Sequence, residues 1–266
     1  MSRTEGPIMM TVLAERLQVQ WFRPQQAAGT ATQPTVVLLH EALGSIAQWR
    51  GFPQTLADAT GLPVMAYDRC GFGGSQALMA PRGLDYLDRE LASLDALLSA
   101  CDIQRPLLFG HSDGATLALL YAAAFPERPL AVISEAAHLF VEEATLAGIR
   151  AVVQRWQNSD LCQRLSRYHG AKAETVFATW AETWLDPAFR SWNVEAQMAA
   201  VRCPVLALQG ENDEFGTVRQ LQAVVDGVGG RCRSCLLADC AHVPHRQAEA
   251  EVLAEVCDFL GELVAA

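Results

Sequence analysis

The chain has 266 residues, of which 51% are hydrophobic and 19% are charged. This composition excludes a disordered chain and supplies a large buried core, and the length is compatible with a single α/β domain. There are 20 Lys and Arg residues against 30 Asp and Glu residues, which gives a net charge of −10. The negative charge disfavours nucleic acid and anionic membrane surfaces as partners.

Residues 1–10 have no basic cluster followed by an apolar run, so the sequence predicts no signal peptide. The longest nearly apolar run, 115–125, is shorter than the roughly 20 residues that cross a membrane, and we interpret it as a buried helix. The chain also has 8 cysteines, which are spread along its length. Because disulfide frameworks are typical of short secreted chains, we expect reduced thiols and a cytoplasmic protein.

Short apolar runs alternate with amphipathic stretches along the chain. The runs that predict strands are, in chain order, 17–22, 35–40, 63–68, 106–110, 129–135, 203–210 and 235–238. Between them, the spacing of apolar residues predicts helices that include 87–98, 115–124 and 252–263. Runs that are apolar on both faces are typical of parallel strands covered by helices. The alternation therefore predicts an α/β fold with a doubly wound, mostly parallel sheet.

One long segment, 138–195, contains no strand-like run and has a helical pattern. It contains the tryptophans Trp156, Trp180, Trp184 and Trp192, together with Tyr168. We interpret this segment as a helical cap, inserted into a core domain that comprises 1–137 and 196–266. Because ligand pockets are mostly apolar, the aromatic residues of the cap are candidates to line one.

A G-x-S-x-G motif spans Gly110 to Gly114 and lies between a predicted strand and a predicted helix. In that context the motif forms a tight turn, which presents the serine hydroxyl clear of the backbone at the start of a helix. A serine hydroxyl is a weak nucleophile unless a base is positioned beside it. We therefore predict Ser112 as a nucleophile and expect its base and acid further along the chain.

Two later loops supply candidate partners for Ser112. Asp213 follows one predicted strand, and His242 follows the last predicted strand. Open α/β sheets gather such groups at the carboxyl ends of their strands, so we predict His242 as the general base and Asp213 as the acid that orients it. Glu211 remains an alternative acid, and His245 remains an alternative base.

Acyl transfer to a serine also needs hydrogen-bond donors for the developing oxyanion. The backbone N–H of Asp113, directly after the predicted nucleophile, is one candidate donor. The second donor is expected from the loop at 40–45, which follows the strand predicted at 35–40.

The order and spacing of these motifs resemble those of the α/β-hydrolase superfamily over nearly the whole chain. The resemblance rests on the loop at 40–45, the turn at 110–114, Asp213 and the segment His242-Val243-Pro244-His245. It implies a serine esterase mechanism beneath a helical cap, and it assigns the second oxyanion donor to Ala42. Glu41 departs from the family pattern, because a glycine usually follows the histidine of this loop.

We predict a cofactor-independent serine hydrolase that cleaves an ester, thioester or lactone of a small organic acid through an acyl-enzyme on Ser112. Hydrolysis of a C–C bond or an amide by the same residues, and a non-catalytic ligand sensor on this fold, remain alternatives. The substrate pocket is expected to include Glu41, Trp156, Trp180 and Trp184. We further expect a small-molecule substrate and a monomer or homodimer. No metal site is predicted, since Cys232 and Cys235 lack a second pair of ligands.

Overall fold

The structure, a computed structural model, describes residues 6–25, 33–80 and 82–265, with side chains up to residue 263. The expectation about a signal peptide falls in part on residues 1–5, which lie outside the described residues. The strands are β1 (Ile8–Val12), β2 (Glu15–Phe22), β3 (Val36–Leu39), β4 (Val64–Tyr67), β5 (Leu107–His111), β6 (Ala131–Glu135), β7 (Val205–Gly210) and β8 (Cys232–Leu237). The helices are α1 (Phe52–Thr60), α2 (Tyr86–Ala100), α3 (Asp113–Ala124), α4 (Glu143–Asn158), α5 (Leu161–His169), α6 (Ala173–Leu185), α7 (Val218–Gly227), α8 (Pro244–Gln247) and α9 (Glu249–Ala265).

The described strands form one sheet in the order β1-β2-β4-β3-β5-β6-β7-β8. β1 and β2 run antiparallel to their neighbours, whereas the pairs from β4 to β8 are all parallel. The predicted α/β class with a mostly parallel sheet is confirmed. The sequence analysis missed β1, because its Ile8 and Met9 side chains are exposed at the edge of the sheet and do not extend a buried apolar run.

Both faces of the sheet are buried, and each face has its own core. In β3, Val37 and Leu39 belong to one core, whereas Val36 and Leu38 belong to the other, as the alternation of side chains along a strand requires. Helices α2, α3 and α7 contribute to the first core, and α1 and α9 contribute to the second. This two-sided burial explains why the inner strands have continuous apolar sequences.

The segment 138–195, which we call the helical segment, contains α4, α5 and α6. Its two ends are joined by an isolated β-bridge between Phe140 and Asn193. Beyond the predicted boundary at residue 195, a 3₁₀ helix spans Glu195–Ala200 before β7 begins.

Hydrogen bonds tie α5 of the helical segment to the carboxyl edge of the sheet. The His169 Nε2–H donates to the carbonyl of Leu43 at 2.9 Å, and its Nδ1 accepts from the N–H of Gly73 at 2.9 Å. Leu43 belongs to the loop after β3, and Gly73 to the loop after β4. The helical segment therefore lies over the loops from which a catalytic site is expected.

None of the described helices is long and apolar enough to cross a membrane. All the cysteines are free thiols in the structure. Cys232 and Cys235 both lie in β8, and their side chains pack on opposite faces of the sheet, one against each core. They are therefore not oriented as a pair of ligands for one metal ion.

Candidate active site

Ser112 lies in the turn between the end of β5 and the start of α3. Its backbone has φ 53° and ψ −117°, a strained conformation for a residue other than glycine. The N–H of Ser112 donates to the carbonyl of Glu135 at 2.8 Å, which anchors the turn to β6. The turn presents the Ser112 side chain to a cavity at the carboxyl edge of the sheet.

Close approach of the backbone explains the glycines of the motif. A Cβ atom on Gly110 would lie 2.1 Å from the carbonyl oxygen of Gly114, and a Cβ atom on Gly114 would lie 2.0 Å from the carbonyl oxygen of Leu39. No side chain fits at either position. The two glycines therefore allow α3 to start directly against the ends of β5 and β3.

The structure brings the three predicted catalytic side chains into one chain of hydrogen bonds. Ser112 Oγ lies 2.9 Å from Nε2 of His242, and Nδ1 of His242 lies 2.8 Å from Oδ1 of Asp213. Glu211, the alternative acid, is exposed. The alternative base, His245, is hydrogen-bonded to Glu135 and not to Asp213. The geometry thus favours the predicted trio over both alternatives.

Charge and burial act against each other at the histidine and the aspartate. Burial by itself lowers the pKa of His242, but the hydrogen bond and negative charge of Asp213, with a smaller contribution from Glu214, raise it above its ordinary value. Burial by itself raises the pKa of Asp213, but His242 and the N–H of Phe215 hold it below its ordinary value. The pair is therefore arranged to stabilise a protonated imidazole.

Two backbone N–H groups are placed where the predicted oxyanion donors are expected. Asp113 is the first residue of α3, so its N–H has no acceptor within the helix, and Ala42 lies in the loop after β3. Both residues line the cavity beside Ser112. The Asp113 carboxylate is bound by Arg69 at 2.7 Å and by the Tyr86 hydroxyl, which holds the negative side chain in a buried ion pair.

Glu41 lines the same cavity, as predicted from its position beside the oxyanion loop. Its Oε2 accepts a hydrogen bond from the N–H of Leu43 at 2.6 Å, which closes the loop over Ala42. Burial raises the pKa of the Glu41 carboxyl, because the charged form is desolvated there. The side chain therefore stabilises the loop and places a carboxyl group in the cavity wall.

The cavity has a volume of about 220 Å³, and its walls come from the sheet edge and from the helical segment. The residues of the helical segment in the wall are His138, Thr145, Val152, Trp180 and Trp184. A second cavity of about 90 Å³ shares Ala42, Asp113, Trp180 and Trp184 with the first. Trp180 and Trp184, two of the predicted pocket residues, therefore separate the two cavities.

Trp156 does not line either of these two cavities, so the structure does not bring it together with the other predicted pocket residues. Its ring stacks on Phe177 with centroids 3.9 Å apart, so it packs α4 against α6. The helical periodicity indicated an apolar face but not which part of that face meets the cavity.

Trp49, His138 and Phe215 also line the cavity, and none of them was predicted from the sequence as a site residue. The Phe215 ring lies 4.7 Å from the His242 ring, and the His138 ring lies 5.7 Å from it. Burial lowers the pKa of His138 to about 4, so this ring is neutral at neutral pH. Phe215 lies two residues after Asp213 on the same loop. An aromatic residue so close to a predicted catalytic acid could have indicated a pocket residue.

One group of side chains has the composition of a metal site. Among the described residues, only His111, Glu135 and His245 bring potential ligand atoms of three residues within 4.8 Å of one another. The ring Nδ1 and the backbone N–H of His245 each lie 2.6 Å from a Glu135 oxygen. Two ligands of one zinc ion, each bonded at about 2.0–2.1 Å, lie farther apart than this. The group therefore fits a hydrogen-bonded network.

The fold and the site together define a class of protein, in which a serine on a strand–turn–helix elbow meets a histidine and an acid from later loops of an α/β sheet. A family model described as "alpha/beta hydrolase fold" matches residues 34–222. The chain belongs to this family and is a hydrolase of the α/β type. A search of the curated proteins returns no match.

Several solved structures have the same fold. Proline iminopeptidase from Mycobacterium smegmatis is 21% identical with a TM-score of 0.74, over 97% of this chain and 98% of that one. The enol-lactonase from Burkholderia xenovorans LB400 is 18% identical with a TM-score of 0.72, over 96% and 100% of the two chains. The 2-hydroxy-6-oxo-6-phenylhexa-2,4-dienoate hydrolase from Rhodococcus sp. strain RHA1 is 14% identical with a TM-score of 0.79, over 96% and 99%. These names include a peptidase and a lactonase, so the likeness does not select one bond type.

Proposed function

We propose that this α/β hydrolase is a serine hydrolase that cleaves an ester, thioester or lactone of a small organic acid. The observation that carries the proposal is the continuous path from Ser112 Oγ through His242 to Asp213, with contacts of 2.9 and 2.8 Å. A hydroxyl held this close to an oriented imidazole is an activated nucleophile.

In the first half of the reaction, Ser112 Oγ attacks the substrate carbonyl carbon while His242 Nε2 takes the hydroxyl proton. Asp213 holds the ring through Nδ1–H and stabilises the imidazolium that forms. The N–H groups of Ala42 and Asp113 donate to the oxyanion of the tetrahedral intermediate. His242 then gives its proton to the leaving oxygen or sulfur, and the acyl group remains on Ser112.

In the second half, a water molecule attacks the acyl carbon and transfers a proton to His242. The tetrahedral intermediate collapses, the acid product leaves, and His242 returns its proton to Ser112 Oγ. Every step uses groups of the chain and water, so the proposal requires neither a cofactor nor a metal.

The helical segment is proposed to act as a cap that determines which acyl or alcohol group fits. Trp180, Trp184 and Val152 give the cavity an apolar wall, and a cavity of about 220 Å³ suits a small molecule better than a polymer. In its ionised form, Glu41 adds negative charge to the same cavity and disfavours a carboxylate on the substrate. We therefore propose small substrates with an uncharged, apolar acyl group. The free thiols support a reducing, cytoplasmic location for this chemistry.

The proposal is tested with a fluorophosphonate probe and with chromogenic acyl esters and thioesters. We expect the probe to label Ser112 and no other serine. The Ser112→Ala variant should lose about 10⁶-fold in kcat, the scale seen when a serine triad is dismantled. Turnover that survives in Ser112→Ala would contradict the proposal. Labelling of Ser112 without turnover of any ester, thioester or lactone would instead favour a ligand sensor, or another bond such as an amide.

A further inference from the structure

A second carboxylate–imidazole pair lies beside the Asp213–His242 pair. Glu135 is the last residue of β6, and its side chain has no exposed surface. Its Oε1 accepts a hydrogen bond from the backbone N–H of His245 at 2.6 Å, and its Oε2 accepts one from Nδ1–H of the His245 ring at 2.6 Å. The carboxylate thus holds the backbone and the side chain of one residue at the same time.

Glu135 also contacts the turn that carries the nucleophile. Its carbonyl accepts the N–H of Ser112 at 2.8 Å, and its position in β6 is paired with His111 of β5. One residue therefore holds the backbone of Ser112 through its main chain and the start of α8 through its side chain. His245 lies in α8, and His242 lies in the loop between β8 and α8.

A further hydrogen bond directly joins the end of β5, next to Ser112, to the loop that carries His242. The His111 Nε2–H donates to the carbonyl of His242 at 2.7 Å, and the His111 and His245 rings lie 5.0 Å apart. Burial, together with the neighbouring His245 and His242, keeps the pKa of His111 well below its ordinary value, so His111 stays neutral. The residue before the nucleophile is thereby bonded to the main chain of the proposed base.

We propose that Glu135, together with His245 and His111, positions the loop that carries His242 against the turn that carries Ser112. The three are positioning residues, because the hydrogen bonds of their side chains go to one another and to main-chain groups of His242 and His245, and the His111 ring only packs against the His242 ring, with centroids 5.2 Å apart. The inference rests on the roles proposed above for Ser112 and His242.

The chemistry of the buried pair explains why a carboxylate is needed there. Trp49 and Phe52 pack against the His245 ring with centroids at 4.6 and 5.2 Å, so water has little access to the pair. A leucine in place of Glu135 would leave two N–H groups of His245 buried without acceptors, and such groups are strongly disfavoured. The loop would then move to solvate them. His242 would move with it, since only two residues separate it from His245.

The decisive comparison is Glu135→Leu against Glu135→Gln in the full chain. We expect Glu135→Leu to lower kcat about 100-fold with KM changed by less than about threefold, because misplacement of a catalytic group by about 1 Å has an effect of this size. Glu135→Gln should keep kcat within about tenfold, because its amide oxygen accepts the N–H of His245 and its amide nitrogen donates to the other ring tautomer. The readouts are the turnover of 4-nitrophenyl butyrate and the rate of labelling by a fluorophosphonate.

The pH profile separates positioning from general destabilisation. Asp213 raises the pKa of His242 in the intact site, so loosening of the loop should move the acid limb of kcat/KM to lower pH in Glu135→Leu. Leu56→Ala is the matched control, because Leu56 of α1 is buried in the second core and does not line the cavity. It should lower thermal stability without moving the acid limb.

Three outcomes decide the inference. A wild-type kcat in Glu135→Leu, or equal losses in the Leu and Gln variants, overturns it. If Glu135→Leu does not fold, His111→Leu removes the bond to the His242 carbonyl and the ring contacts of His111 with His242 and His245, and it should still lower kcat about tenfold at unchanged KM; no loss there also overturns it. Retained turnover in Ser112→Ala contradicts the proposed function, whereas an inactive Ser112→Ala with a fully active Glu135→Leu contradicts only the positioning role.

Discussion

The two walls of the cavity are built in opposite ways. The wall from the sheet edge is polar, and its Ser112, His242 and Asp213 are joined by hydrogen bonds of 2.8 and 2.9 Å. The wall from the helical segment is mainly apolar, with Trp180 and Trp184 as its large members. Hydrogen-bonded groups act only in a narrow range of distance and angle, whereas apolar groups contribute roughly in proportion to the area they bury.

This difference separates chemistry from selectivity. The polar wall is attached to strand ends, and its geometry is fixed by backbone bonds such as that between Ser112 and Glu135. The apolar wall is attached by hydrogen bonds such as those of His169 and by side chains buried in the first core. Those of its side chains that line the cavity take no part in the hydrogen bonds among Ser112, His242 and Asp213. Changes to the sheet edge should therefore act on kcat, and changes to the helical segment should act on substrate preference.

After the loss of Ser112 itself, the largest effect is expected from the acid. Asp213→Asn should lower kcat on the order of 10⁴-fold, because an amide no longer fixes the ring tautomer that leaves Nε2 free to accept a proton. The matched control is Glu211→Gln, which changes an exposed residue of the same loop and should stay within about threefold of the wild type. A larger loss of kcat in Glu211→Gln than in Asp213→Asn would show that Glu211, and not Asp213, is the acid that orients His242.

The pH dependence provides the next largest effect. His242 accepts a proton only when neutral, so kcat/KM should fall about tenfold per pH unit on the acid side of its pKa. Asp213 and Glu214 raise that pKa above the ordinary value of 6.5, so the midpoint of the limb should lie above pH 6.5. Glu214→Gln removes one of the carboxylates that raise the pKa of His242 and should shift the midpoint to lower pH. A flat profile between about pH 5 and pH 8 would exclude His242 as the base.

The apolar wall is tested with two tryptophans that are both half-buried. Trp180→Ala should change kcat/KM about tenfold and shift the preferred acyl length, because a lost aromatic contact is worth about 1.4 kcal/mol or more. Trp156→Ala should lower thermal stability and leave acyl preference unchanged, since its ring packs on Phe177 away from the cavity. Equal shifts in the preferred acyl length for Trp180→Ala and Trp156→Ala would show that acyl preference depends on the packing of the whole helical segment and not on the residues that line the cavity.

The smallest effect is expected at Glu41, where the two walls meet. A butyrate ester should be cleaved about fivefold faster than a succinate half-ester with the same leaving group, because the Glu41 charge opposes a second carboxylate. Glu41→Gln keeps the acceptor for the Leu43 N–H and should reduce this preference, most clearly at low salt. A wild-type preference for the succinate compound would overturn the proposal of an uncharged acyl group.

The local sequence determined the fold class and the position of the proposed nucleophile. The inner strands are apolar on both faces because helices cover both, and this pattern is visible without coordinates. The motif around Ser112 is equally local, since Gly110 and Gly114 meet within one turn. The sequence also predicted Ser112, Asp213 and His242 as candidate catalytic residues, because each follows a predicted strand.

Only the tertiary structure decided which side chains meet. Ser112 and His242 are 130 positions apart, and the 2.9 Å between them depends on the order of strands in the sheet. The same applies to Glu135, whose contact with His245 selects that histidine for a role other than the base. Helical periodicity marks the apolar face of a helix but does not specify which turn meets a cavity, and for this reason Trp180 and Trp156 could not be distinguished from sequence alone.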